Sequence, residues 1–364
     1  MSAPPVMIMA GGTGGHVFPA LALARLLREQ QRQVIWLGTR RGLEARVVPA
    51  DGFPIEWLTV GGLRGKGALT LLAAPFNLVR ALWQALAIVR RHRPAVVVGL
   101  GGFVTGPGGL AAWLTRRPLV VHEQNAVAGF TNRCLAPLAR AVLTAFPAAL
   151  AGRPRVRLIG NPVRADIAAL APPAARFAGH DGPLRLLVIG GSLGARRLNE
   201  VVPQTLALLA QQPLSPLFTV RHQAGEKLID GARAAYANAG VAGAVDPFIA
   251  DMAEALAWAD LVVCRAGALT IAELAAAGVG AVLVPFPHAV DDHQTVNAQY
   301  LVQVGAARCF ADSALTPALL AATLTELCAA GRSGLLRLAE AARGVAKPHA
   351  AQDLLAAVLA AERA

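Results

Sequence analysis

The sequence predicts an α/β protein made of two doubly wound, nucleotide-type domains. Three observations predict it. Two glycine-rich turns, Met9-Ala-Gly-Gly-Thr-Gly-Gly-His16 and Ile189-Gly-Gly-Ser-Leu-Gly-Ala195, each follow an apolar run and each can open a helix. The apolar runs alternate with long amphipathic stretches, and several are apolar throughout, as in strands of a parallel sheet covered on both faces. At 364 residues the chain exceeds what one core serves, so two domains are expected.

In chain order the candidate strands are Val6 to Ala10, Val34 to Leu37, Val96 to Gly99, Leu119 to His122, Leu184 to Ile189, Phe218 to His222, Leu261 to Cys264 and Ala281 to Pro285, with helices between them. The first helix is expected over Pro19 to Gln30, carrying Leu21, Leu23, Leu26 and Leu27, with proline near its start, where its fixed φ is pre-organised. A domain boundary is expected near Gly160-Asn-Pro-Val-Arg164. The proline- and alanine-rich stretch Ala168 to Gly182 then reads as linker and loop. Alanine accounts for much of the 55% hydrophobic content; it favours helix but buries little and carries no functional information.

A glycine-rich turn at a helix start leaves backbone N–H groups at the positive end of the helix dipole, and glycine lets a pyrophosphate approach them. Such a turn can also be a plain strand-to-helix corner; two in matching positions point to a phosphorylated ligand. Neither fits the dinucleotide fingerprint G-x-G-x-x-G, because counting from Gly12 and Gly14 the third glycine falls on Val17, and the turn at 190 lacks the spacing. A hydride-transferring oxidoreductase is therefore disfavoured.

Cys134, Cys264, Cys309 and Cys328 are widely spaced, with no C-x-x-C pair, and read as reduced thiols of an intracellular protein. Residues 1 to 5 carry no basic stretch of a signal peptide. No run reaches the 18 or so apolar residues of a membrane span; Leu69 to Val79 is short and holds Pro75 and Asn77. Lys plus Arg outnumber Asp plus Glu by 34 to 22, a net charge of +12 that favours anionic partners. Nucleic acid is not expected among them, since no recognised motif is present and aromatics are 5% of the chain. Arg64, Lys66, Arg80, Arg90, Arg91 and Arg93 surround Leu72, Phe76, Val79 and Trp83, which share one helix face by spacing. That pattern fits a surface helix dipping into an anionic membrane, or a core-facing helix with a solvated basic flank.

Four constellations carry chemistry. His16 closes the first turn at a helix start, where the dipole favours the neutral imidazole that a proton acceptor needs, although a packing role is equally compatible with the spacing. His122-Glu-Gln-Asn125 ends an apolar run, where a parallel strand delivers side chains to a ligand crevice. Cys264-Arg-Ala-Gly-Ala-Leu-Thr270 supplies another small-residue helix start suited to phosphate, and Glu273, one turn on, can accept bonds from ribose hydroxyls or simply favour the dipole. Asp291-Asp-His-Gln294 with Asn297 lacks a complementary ligand cluster, so hydroxyl binding is expected there and no metal.

The motifs Gly11-Gly-Thr-Gly-Gly-His16, Gly61-Gly-Leu-Arg-Gly-Lys66, Gly101-Gly-Phe-Val-Thr-Gly-Pro-Gly-Gly109, His122-Glu-Gln-Asn125, Gly160-Asn-Pro-Val-Arg164, Gly190-Gly-Ser-Leu-Gly-Ala195, Arg265-Ala-Gly-Ala-Leu-Thr270 and Asp292-His-Gln294 occur in the order found in the MurG family, and the chain resembles that family along essentially its whole length. These are bacterial enzymes that transfer N-acetylglucosamine from UDP-N-acetylglucosamine to lipid I, making lipid II in peptidoglycan synthesis. The resemblance implies a GT-B fold, two Rossmann-like domains with parallel sheets facing a central cleft. Residues 1–162 would take the acceptor and dock on the membrane, 163–345 would bind the donor, and 346–364 would form a helix returning to the first domain.

The resemblance further implies Ser192 near the donor phosphates, Arg164 and Ile249 near the nucleotide, and Ala268, Leu269 and Thr270 near phosphate and sugar. Glu273 would lie at the ribose, and Gln294 with Asn125 at the N-acetylglucosamine. Thr13, Gly14, Gly15 and His16 would belong to the substrate site, with His16 and Asn125 catalytic and His16 resembling the proposed base. Leu193 stands where the family also shows glutamine, so only a backbone contribution is expected there. No cofactor is implied. A lipid acceptor favours the docking reading for Leu72, Phe76, Val79, Arg80 and Trp83, with the enzyme peripheral on the cytoplasmic face of the inner membrane. Rival expectations are another UDP-sugar enzyme of the same fold, an epimerase or a glycolipid transferase, and a non-catalytic UDP-sugar-binding scaffold.

Overall fold

A computed structural model describes residues 3–61, 74–191, 193–212 and 216–363. The chain divides into two compact units, residues 1–164 with 348–364, and residues 165–347.

The first unit is a seven-stranded sheet of β1 (Val6–Ala10), β2 (Val34–Gly38), β3 (Ile55–Trp57), β4 (Val96–Gly101), β5 (Leu119–Glu123), β6 (Ala141–Thr144) and β7 (Val156–Leu158), in the order β3-β2-β1-β4-β5-β6-β7. Every neighbouring pair is parallel, with Val6 opposite Val34 on one side and Val96 on the other. Successive side chains of β1 leave opposite faces. Val6 and Ile8 enter a core with Leu23, Leu27, Leu354 and Val358, whereas Met7 and Met9 pack with Leu86, Val89 and Leu119. Burial on both faces is why β1 is apolar without alternation. The helix Ala350–Arg363 belongs to this unit. Arg32 donates to both carboxylate oxygens of Glu362, at 2.6 and 2.8 Å, which keeps the guanidinium pKa raised despite the opposing effect of burial.

The second unit repeats the scheme with β8 (Leu184–Ile189), β9 (Phe218–Gln223), β10 (Ala244–Asp246), β11 (Leu261–Cys264), β12 (Gly280–Leu283) and β13 (Ala307–Cys309), all parallel in the order β10-β9-β8-β11-β12-β13. Leu186 and Val188 of β8 meet Leu198, Val201 and Leu324 from flanking helices. Among the described residues no helix is long and apolar enough to cross a membrane.

Two sequence expectations are corrected. The first helix spans Gly14–Glu29, so Pro19 lies inside it; Thr13, at φ −106° and ψ 163°, is the cap, and glycines 14 and 15 take helical geometry themselves. The stretch Ala168 to Gly182 is not simply linker. It contains the helix Pro173–Phe177, whose Phe177 is buried and whose Arg176 donates to the carbonyls of Leu256, Ala257, Ala277 and Gly278.

Candidate active site

In both sheets the strand order reverses beside the first strand, between β1 and β4 and between β8 and β11. Doubly wound sheets bind ligands outside the carboxyl ends of the strands at that reversal. In the first unit the turn after β1 meets the loop after β4 there: a Cβ on Gly102, whose φ is +87°, would overlap the Gly11 carbonyl.

His16 is the third residue of the helix Gly14–Glu29 and is half-buried. Its imidazole lies against Gly101, where φ is +108° and a Cβ would stand 2.5 Å from the ring Cδ2 and 2.8 Å from Nε2. His16 Nδ1 contacts the Gly11 carbonyl oxygen at 3.3 Å. A carbonyl only accepts, so Nδ1 is the donor in this contact. The carbonyl of Thr13 accepts from His16 and Val17 N–H, both at 3.2 Å, and fixes where the helix starts.

The turn itself is braced by a residue that sequence reasoning missed. Glu44 is fully buried; its Oε2 accepts from Gly12 N–H at 2.9 Å, and its Oε1 accepts from Thr39 N–H at 2.9 Å and Thr39 Oγ1 at 2.8 Å. A Cβ on Gly11 would stand 2.6 Å from that carboxylate. One N–H of the expected anion cradle is thus engaged by an internal carboxylate. No local pattern signals this, because Glu44 lies 32 residues from Gly12.

The cluster 122–125 is mostly framework, contrary to expectation. His122 is buried and donates through Nε2 to the Gly160 carbonyl at 2.9 Å; burial pulls its pKa down to about 4 against the opposing effect of that bond. Gln124 donates to the Leu100 carbonyl. Glu123, also buried, accepts from Asn125 N–H at 2.9 Å, Gly129 N–H at 3.1 Å and Asn132 Nδ2 at 2.8 Å. His122 and Glu123 thus satisfy backbone groups of the loops beyond the strands, and Gln124 a carbonyl of β4. Asn125 alone of the four is half-exposed, just past the carboxyl end of β5, with its backbone held by Glu123.

In the second unit the glycines after β8 serve close packing. A Cβ on Gly190 would stand 2.7 Å from the Ala195 nitrogen and 3.0 Å from the Gln223 carbonyl oxygen, while Gly191, at φ +81°, has nothing within 4 Å. Leu193 is exposed, and Ser192 lies outside the described residues. The side chain of buried Gln223 accepts from Ile249 N–H at 3.1 Å, holding that loop past the end of β10. Ala268, Leu269 and Thr270 form the first turn of the helix Ala268–Ala277, whose N-cap is Gly267 at φ −62° and ψ 144°. Glu273 sits one turn on, half-buried. Burial pushes the neighbouring Cys264 thiol up to about 12, with Arg265 opposing and Glu273 adding to the rise.

Arg265 does not serve this helix start: it donates to the carbonyls of Val284 and Pro285, both at 3.1 Å, and to Asp312. Gln294 uses its carbonyl to accept from Phe286 N–H at 2.9 Å, just after two non-glycine residues in the left-handed region, Asp291 at φ +54° and Asp292 at φ +48°. Arg164 is half-buried at the end of the first unit's main segment. Thr13, Gly14, Gly15, His16 and Asn125 therefore gather beyond β1 and β5, and Ile249, Ala268, Leu269, Thr270, Glu273 and Gln294 beyond β10, β11 and β12. Among the described residues no group of three or more His, Cys, Asp or Glu side chains is placed to hold a metal ion.

The basic, apolar segment forms the helix Ala74–His92. Its core side is Ala81, Ala85, Leu86, Ile88 and Val89, whereas Phe76 is 73% exposed, Val79 52% and Trp83 65%. These three do not pack in the core, and Arg80 is exposed beside them. Leu72, Arg64 and Lys66 lie outside the described residues.

Residues 6–144 match the glycosyltransferase family 28 N-terminal domain, and residues 185–354 match the family 28 C-terminal domain. A UDP-N-acetylglucosamine--N-acetylmuramyl-(pentapeptide) pyrophosphoryl-undecaprenol N-acetylglucosamine transferase of Alkalilimnicola ehrlichii is 59% identical over 349 residues, covering 95% of this chain and 96% of its own length. The protein of that name from Marinobacter nauticus is 54% identical over 349 residues, 96% of this chain and 95% of its own. The crystal structure of Acinetobacter baumannii MurG superposes with a TM-score of 0.85 at 42% identity, over 98% of this chain and 100% of that one. The chain belongs to the MurG family. Its fold is the GT-B type of that family, two parallel-sheet α/β domains, shared at the level of fold alone with the calicheamicin glycosyltransferase CalG4 at 19% identity and a TM-score of 0.66 over 98% of this chain.

Proposed function

We propose that the chain transfers N-acetylglucosamine from UDP-N-acetylglucosamine to the muramyl 4-hydroxyl of undecaprenyl-pyrophosphoryl-muramyl-pentapeptide, with inversion at the anomeric carbon. The observation that carries the mechanism is the contact of His16 Nδ1 with the Gly11 carbonyl oxygen, which turns the other ring nitrogen to the acceptor. Nε2 takes the hydroxyl proton as the oxygen bonds to the anomeric carbon and the bond from that carbon to the β-phosphate oxygen breaks. The electron pair leaves with UDP. Its growing charge is met by the positive end of the helix Ala268–Ala277, with Ser192 adding a donor.

In this reading the first unit takes the acceptor and the second the donor. Glu273 accepts from the ribose hydroxyls, Ile249 and Arg164 border the nucleotide, and Thr270 with Gln294 and Asn125 bind the sugar; Gln294, its carbonyl engaged by Phe286, offers its amide N–H groups. Thr13, Gly14 and Gly15 shape the floor beneath the reacting atoms. The exposed face of Phe76, Val79 and Trp83, with Arg80, rests on an anionic membrane that presents the lipid acceptor, which makes the enzyme peripheral on the cytoplasmic face of the inner membrane, with no nucleic-acid partner. The test is His16→Ala, expected to lower kcat by roughly 10² to 10⁴ while UDP affinity stays within twofold. Loss of UDP binding by a folded variant, or a wild-type kcat, would remove His16 from the role of base.

A further inference from the structure

The first sheet carries a second concentration of chemistry at its amino edge, away from His16 and Asn125. An open cavity of about 580 Å³ is lined by Arg116, Arg117, Arg140 and Arg155 around Leu119 and Leu138. All four arginines precede the strands they adjoin, β5, β6 and β7. The five residues of β5 separate the cavity from the carboxyl end of that strand, about 16 Å at the usual rise of a strand.

The four positions are fixed by the backbone. Arg116 N–H donates to the Trp113 carbonyl at 3.0 Å, Arg117 N–H to Ala112 at 2.8 Å and Arg140 N–H to Leu119 at 2.7 Å, while the Arg155 carbonyl accepts from Val142 N–H at 3.2 Å. Arg155 Nη1 reaches the Ala139 carbonyl at 3.4 Å. Arg116 and Arg155 sit in the left-handed region, at φ +55° and +65°, where the chain uses glycine at most of its other turns. No carboxylate lines the cavity, and among the described residues none of the four arginines forms an ion pair, whereas Arg25, Arg32, Arg221, Arg265, Arg308 and Arg332 all do.

Guanidinium groups stay charged at any physiological pH, so four of them around one open cavity, with Arg116, Arg140 and Arg155 exposed and Arg117 half-buried, make a positive field that draws anions. Their planar forks match phosphate oxygens in pairs. We propose that this cavity is a binding site for a phosphate-bearing anion, separate from the transfer site. A single carboxylate would leave most of the charge and most of the volume unanswered. The same chemistry belongs to soluble diphosphates and to phospholipid headgroups.

Calorimetric titration of inorganic pyrophosphate into the full-length protein, with UDP in excess to occupy the donor site, tests the proposal. One pyrophosphate is expected per chain, with a raised melting temperature. The double variant Arg117→Gln with Arg140→Gln, and separately Arg155→Gln, should each weaken binding at least tenfold, whereas Arg153→Gln, outside the cavity, should not. A second arm compares sedimentation with phosphatidylglycerol and phosphatidylcholine vesicles. Loss of phosphatidylglycerol binding by the double variant, with pyrophosphate competing in the wild type, identifies a headgroup as the occupant; unchanged vesicle binding alongside lost pyrophosphate affinity identifies a soluble anion. Wild-type pyrophosphate affinity in the folded variants overturns the proposal. So does the absence of pyrophosphate binding together with vesicle binding that the variants do not change.

Discussion

Replacing Gly101 with alanine reaches the proposed base without touching it. Two penalties follow from the geometry. Alanine at φ +108° occupies backbone space that only glycine visits freely, which costs about 1–3 kcal/mol. Its methyl would stand 2.5 Å from His16 Cδ2 and 2.8 Å from Nε2. Carbon atoms rest about 3.5 Å apart or more, so the imidazole must retreat by about 1 Å. A misplacement of that size at a reacting group costs about 10² in rate. Gly101→Ala should therefore lower kcat for N-acetylglucosamine transfer about 100-fold, with the Kd for UDP unchanged and the melting temperature down by roughly 2–10 °C. Gly152→Ala is the control for strain alone, since Gly152 has φ +76° with nothing within 4 Å of a Cβ. It should lose stability and keep kcat. Equal losses of kcat in the two variants, or full kcat in a folded Gly101→Ala protein, would refute the placement of the base.

Glu273→Ala should raise the donor KM more than tenfold and leave the acceptor KM alone, because a ribose contact exists in ground and transition states alike; an unchanged donor KM with a collapsed kcat would show the wrong role. Acid should destabilise both units in a defined window. Burial holds His122 and His222 at about 4, whereas in the unfolded chain they titrate near 6.5, so between those values the unfolded state binds more protons. Stability should be flat above pH 6.5 and fall as pH drops towards 4, by about 3 kcal/mol per histidine, and His122→Gln, which can still donate to Gly160, should remove its share. Urea unfolding at pH 7.5 and 5 measures this, and identical curves would contradict it. Phe76→Ser with Trp83→Ser should reduce sedimentation with anionic vesicles, and salt should weaken the remainder, since each of Arg80, Arg90 and Arg91 contributes about 1 kcal/mol near such a surface. Wild-type vesicle binding by the folded double variant would sink the docking role.

Much of the fold was legible because central strands buried on both faces leave long apolar runs. Of the five strands missed, β3, β7, β10 and β13 have three residues each, too few to show a period, and lie at sheet edges, while β6 is an inner strand of four. The candidate site was legible in its local backbone, since His16 and Ala268 lie in the first turns of helices that follow strands, as the sequence predicts. It was misread where a polar side chain serves a distant carbonyl. His122, Gln124 and Arg265 carry the residue types of a ligand site but bond to Gly160, Leu100 and Val284, partners that spacing along the chain does not reveal. Glu44 escaped notice for the same reason.

The most direct measurement is product analysis after incubating the full-length protein with labelled UDP-N-acetylglucosamine and an undecaprenyl-pyrophosphoryl-muramyl-pentapeptide analogue, with and without a chelator. Label should pass to the lipid in step with UDP release, at the same rate in both tubes, because in the proposed mechanism the start of the helix Ala268–Ala277 and Ser192 serve the leaving diphosphate. An epimerised UDP sugar, no labelled lipid from folded protein, or reversible loss of transfer in chelator would contradict the account.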